Sequence, residues 1–212
     1  MRHAGILGRG FVVLLAATFG SAVHAEDRSA LLCRLLLEQV RIEVGDHELA
    51  VQQAETEREA AAEIFALVDG LWKRQLIERL IFLRAQHNKD VTHLVVAREK
   101  NALRRGLAER DQYFALCGGG DNPEGRSVDE AFRDYREMDC DRHGLNVEIA
   151  KVELVFRKEV RDSVLDLRKN DVATRQEVIA AERNVELVRQ ELENALARSQ
   201  TCRRELGAQS GG

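Results

Sequence analysis

The chain is predicted to be all-α: a long antiparallel helical hairpin, coiled-coil-like, with a short N-terminal helix packed at its base. Three observations carry this. A single proline (Pro123), 5% aromatic and 32% charged residues among 212 suit long helices better than a layered α/β domain. Apolar residues recur every three or four positions over long stretches, the period of one helix face. Turn-forming residues concentrate in one segment, Cys117 to Ser127 (CGGGDNPEGRS), where glycine, Asp-Asn and proline supply turn conformations.

The elements follow in order. Residues 1–25 read as a secretory signal peptide. Arg2 and Arg9 give a positive start, Phe11 to Val23 an apolar core, and Ala22-Val23-His24-Ala25 a small-x-small cleavage site before Glu26. The apolar run falls short of the roughly 20 residues a membrane span needs. No cysteine directly follows the cleavage site, and Leu31-Leu32-Cys33 lacks the small residue a lipid-attachment site wants before its cysteine, so a lipid anchor is not expected. Residues 26–206 form a single elongated domain with a tip loop at 117–127, and 207–212 a disordered tail. Without Arg2 and Arg9, 30 basic residues stand against 36 acidic ones, and the net charge of −4 becomes −6. A phosphate-binding face needs a basic excess, so nucleic acid is excluded as a partner.

In the first arm Phe65, Val68, Trp72, Leu76, Leu80, Leu83, His87, Val91 and Leu94 make one stripe. In the second, Ile149, Val152, Phe156, Val160, Val164 and Leu167 do the same. Ala181, Val185, Val188, Leu192, Ala195, Ser199 and Cys202 then alternate steps of four and three, a heptad seam. Gly70, Asn88 and Gly106 predict bends rather than ends, at a cost of about 0.5–1 kcal/mol each. Gly45-Asp46 predicts a true break, glycine closing one helix and aspartate capping the next.

The four cysteines serve as a ruler, since an exported chain pairs them. Cys117 and Cys140 flank the loop and are expected to pair at the tip; Cys33 and Cys202 lie near the two ends and are expected to close the base. In one continuous hairpin these pairings conflict. Cys33 to Cys117 is 84 residues and Cys140 to Cys202 is 62, a mismatch of about 33 Å along a helix axis. A fold-back at Gly45 removes it, which predicts the short helix over about residues 28–44.

Two segments resemble one short pattern. Leu49-Ala50-Val51-Gln52-Gln53-Ala54-Glu55 follows Gly45-Asp46, and Gln176-Glu177-Val178-Ile179-Ala180-Ala181-Glu182 follows Asn170-Asp171. The pattern is similar to the repeated helix signature of the outer-membrane efflux channel (TolC-type) family, in which a turn precedes a Leu-Asp-Val-Leu-x-Ala-Glu/Gln run in each half. That family's barrel strands have no counterpart here. The resemblance implies the periplasmic helical-tunnel part without the pore, an association with export assemblies of the outer membrane, and no catalytic residues.

Cys140-Asp141-Arg142-His143 is the main chemical motif. With Cys117 approaching and Asp139 or Asp141 beside them, Cys140 and His143 have the donor set of a zinc site; the competing reading is a Cys117–Cys140 disulfide with His143 exposed to solvent. His87 and His93 are six residues apart, too far around a helix for a metal pair, and His47 has no obvious partner. The acid-rich runs (Glu55, Glu57, Glu59; Glu186, Glu191, Glu193) are interleaved with basic residues as solvated helix faces are. No P-loop, nucleophile elbow, zincin or haem motif is present, so neither enzyme activity nor a cofactor is expected. Trp72 and Phe65 are the interaction candidates, although their place on the stripe suits packing as well. The expected function is a structural or protein-interaction element of the cell envelope, in the periplasm or otherwise exported, binding itself or export components. The alternative is a chaperone-like helical module that grips a client or ligand.

Overall fold

The computed structural model describes residues 25–117 and 128–209. The expected leader and the body of the glycine-rich loop, residues 118–127, lie outside the described residues. Among the described residues four helices follow one another: α1 (Ala25–Lys73), α2 (Arg79–Leu116), α3 (Val128–Lys169) and α4 (Arg175–Gln209). They are about 50–75 Å long at 1.5 Å per residue. Each packs on the next in the chain, and among the described residues no other pair of helices meets. The molecule is a row of antiparallel helices, α1 and α4 at its edges, with no strand among the described residues. No described helix is long and apolar enough to cross a membrane.

The all-α class of long antiparallel hairpins is therefore present, and details inside it change. The central hairpin is α2 and α3, joined through 117–127 as the sequence predicts. The helix that precedes α2 does not fold back at Gly45. It runs unbroken from Ala25 to Lys73 and turns at 74–78 instead. Gly45 has open space where a Cβ would stand, so it acts as an ordinary helix position whose cost of about 1 kcal/mol the packing of α1 offsets. Val40, Val44, His47, Val51, Ala54, Arg58, Ala61, Phe65 and Val68 step by four and three along α1. Val40, Val44, Ala54 and Ala61 on that seam are buried. Gly106 marks close contact rather than a bend: its missing Cβ would lie 3.3 Å from His47 and 3.4 Å from Val44, which lets α1 approach α2.

The heptad seam of α4 is as expected, with Ala181, Val185, Val188 and Ser199 buried. The first-arm stripe is not one helix face. Leu76 stands in the turn and is 64% exposed; the helical phase happens to continue across the break. At the C-terminus α4 extends to Gln209, past Gly207, so the tail expected from 207 begins as helix.

The two turns are built alike. In the first, Leu76 N–H donates to the Leu71 carbonyl (3.0 Å) and Gln75 N–H to the Trp72 carbonyl (2.8 Å). In the second, Val172 N–H donates to Leu167 (2.9 Å) and Asp171 N–H to Arg168 (3.1 Å). This is the Schellman pattern, normally closed by glycine in the left-handed region. Here Gln75 and Asp171, each at φ 59°, take that place. Only the second turn leads into a capping box: Glu177 N–H donates to Thr174 Oγ1, and Thr174 N–H returns to the Glu177 carboxylate at 2.7 Å. The Thr174 N–H and, after it, the Thr174 hydroxyl, both donating to the carboxylate, hold the Glu177 carboxyl below its ordinary pKa.

Candidate functional site

The disulfides correct both expected pairings. Cys33 pairs with Cys117 and Cys140 with Cys202, at Cα separations of 5.6 and 5.5 Å. The 84- and 62-residue separations that conflict within one hairpin are the spans of two separate hairpins. Gln75 lies midway between Cys33 and Cys117, and Asp171 midway between Cys140 and Cys202. Equal numbers of helical residues on each side of a turn bring each pair level, so each disulfide clamps its hairpin at the end opposite the turn.

Around Cys140 a polar cluster forms. Asp139, Cys140 and His143 occupy adjoining turns of α3, and α4 supplies Cys202 opposite them. Asp139 Oδ1 accepts from Arg105 Nη1 of α2 at 2.9 Å and pairs with Arg142 Nη2 at 2.8 Å. Its other oxygen, Oδ2, faces His143 Nε2 at 3.7 Å. The donor atoms of Asp139, His143 and Cys202 lie within 4.8 Å of one another. The Cys-x-x-His motif thus has the neighbour it was expected to have, an aspartate, but its second cysteine is Cys202 and not Cys117. Asp141 is exposed and is not in the cluster.

The interaction candidates meet at the first turn. Trp72, 36% exposed, stacks on Phe82 with ring centroids 5.3 Å apart, and Phe65 meets Phe82 at 5.9 Å. Lys89 Nζ stands 4.2 Å over the Phe65 ring. Their packing and partial exposure coexist. Leu67, Leu71 and Leu76 beside them, and Leu167, Val172 and Ile179 at the second turn, are exposed. The turns lie at the same end, because α2 and α3 pack antiparallel, with His87 facing Phe156 and Arg105 facing Asp139. This paired apolar end escapes sequence reading, since the break at 74–78 carries neither glycine nor proline.

His87 occupies the α2–α3 seam. Its ring stacks on Phe156 with centroids 4.1 Å apart, and Nε2 lies 2.9 Å from Glu153 Oε2. Nδ1 is buried without a hydrogen-bond partner among the described residues. Burial lowers the His87 pKa from its ordinary value, and the Arg157 charge adds to this; Glu153 and Asp90 pull the other way without restoring it. The native state therefore resists protonation of His87, while the unfolded chain accepts a proton near pH 6.5. Stability from this site is complete above that pH and is lost as pH falls through it toward the lower native value. Urea unfolding of wild type and His87→Gln between pH 8 and 5 checks this, with a shallower pH dependence expected in the variant. His93 is exposed and stands apart from His87, as the six-residue spacing predicts. No family model, curated protein or solved structure matches this chain.

Proposed function

We propose that the chain is an exported, non-enzymatic helical element that binds other proteins of the cell envelope through its twin-turn end. What carries this reading is the matched pair of turns, each presenting Leu or Val at equivalent positions (Leu71 and Leu76; Leu167 and Val172) to solvent. Exposed apolar side chains also lie along α1, but at the turns they recur at equivalent positions of two adjacent loops, which suits a protein partner. The two disulfides support the exported setting, since such bonds persist in oxidising compartments. The export setting draws on the similarity of Gln176–Glu182 to the efflux-channel signature; that copy follows the second turn, whereas the copy at Leu49–Glu55 lies within the unbroken α1.

Mild crosslinking in the native envelope followed by affinity capture tests the reading. Recovery of export pumps, adaptors or outer-membrane channels with wild type, and its loss with Leu76→Ser/Val172→Ser, is the expected result. Self-crosslinks alone would remove the export link. A second reading, a chaperone-like client binder, draws on the exposed Leu35, Ile42, Leu49, Ile64 and Leu67 along α1. It predicts that the protein suppresses aggregation of an unfolded client, and that the turn variant does so equally well.

A further inference from the structure

Where α3 and α4 are clamped, the residues around the disulfide have the composition of a second kind of site. We propose that reduction of Cys140–Cys202 converts this clamp into a zinc site formed by Cys140, Cys202, His143 and Asp139. The step is a two-electron exchange. A dithiol reductant supplies two electrons and two protons and closes its own disulfide, while the Cys140–Cys202 bond opens to two thiols. Zn²⁺ then binds both sulfurs as thiolates and releases the two thiol protons.

Four features converge on this site. Cys140 and His143 are one helical turn apart on α3, and Cys202 faces them from α4. Such a set of two sulfurs, an imidazole and a carboxylate matches the tetrahedral preference of zinc. The donor atoms of Asp139, His143 and Cys202 already lie within 4.8 Å of one another. Tetrahedral zinc holds its ligands at about 2.0–2.3 Å, so these donor atoms would draw closer together than they now stand on binding. Asp139 is prepared for the role: Arg105 and Arg142 engage Oδ1, and Oδ2 is the oxygen turned to His143. Among the described residues no other group of histidine, cysteine and acidic side chains has this arrangement, and the Cys33–Cys117 clamp serves as an internal control.

The experiment uses the full chain, reduced with excess dithiol, desalted without oxygen and titrated with Co²⁺ as a probe and then Zn²⁺. The reduced protein is expected to show a thiolate-to-cobalt charge-transfer band at one equivalent, displaced by zinc, while the oxidised protein shows none. His143→Ala, which leaves both disulfides able to form, should weaken binding by more than about tenfold. Cys33→Ser/Cys117→Ser should retain the band and Cys140→Ser/Cys202→Ser should lose it. Circular dichroism follows each state: a reduced chain that loses helix and regains it with zinc supports the site, and one that stays unfolded with metal overturns it. Absence of the band, indifference to His143→Ala, or a band that depends on Cys33 and Cys117 instead would equally overturn it.

Discussion

Replacing Cys140 and Cys202 by serine is expected to lower the melting temperature by about 10 °C, and replacing Cys33 and Cys117 to do nearly the same. A cross-link stabilises chiefly by restricting the unfolded chain, in proportion to the logarithm of the loop it closes. Loops of 62 and 84 residues therefore differ little, and each bond contributes about 4 kcal/mol. At about 2–4 °C per kcal/mol for a chain of this size, the shift is large enough to read by circular dichroism. The pairing can be read directly as well. Proteolytic fragments of the unreduced protein should be joined as Cys33–Cys117 and Cys140–Cys202. A fragment joining Cys117 to Cys140 would contradict the two-hairpin architecture itself.

Asn101→Leu is expected to stabilise the protein by about 1–3 kcal/mol, the cost of burying an amide that finds no partner. Asn101 is fully buried, and among the described residues neither its Nδ2 nor its Oδ1 meets a hydrogen-bonding group. By helical spacing it shares the α2 face of Leu83, His87 and Ala108, the face on which His87 meets Phe156 of α3. Leucine has the same branching and is apolar, so the penalty disappears if the seam accommodates its extra volume. Thermal unfolding of the variant checks this. A lower melting temperature would mean that the seam does not take the extra volume or that the amide is satisfied in the folded protein, and Asn101→Ala, which adds no volume, separates the two. A buried asparagine also discriminates between helix registers; in that case the variant melts higher while its amide resonances lose dispersion.

Much of the architecture was legible in residue order alone. The four-three alternation from Ala181 to Cys202 names the buried face of α4, because a seam between two helices admits no other spacing. The α2–α3 hairpin follows from CGGGDNPEGRS, the one segment whose local chemistry forbids a helix. The break at 74–78 has no such chemistry. Its residues Arg74-Gln75-Leu76-Ile77-Glu78 are ordinary helix formers, Gln75 adopts φ 59° without being glycine, and Leu76 prolongs the apolar period. The reverse misreading at Gly45 has the same origin: a weak local signal for a break yields to continuous packing of α1 on α2.

The candidate metal cluster was half visible. Cys140 and His143 announce themselves by a one-turn spacing within a single helix. Cys202, Arg105 and the orientation of Asp139 come from other helices and depend on how these pack. What the sequence by itself determined is helix, its periodicity and the cysteines' positions, all of which are local or arithmetic properties of the chain. Which helix lies beside which, and so which cysteines bond, was decided only by tertiary structure. The side chains of a turn such as 74–78 are compatible with continuing the helix. The free energy that reverses the chain there comes from burying the seam of α1 against α2 along its length.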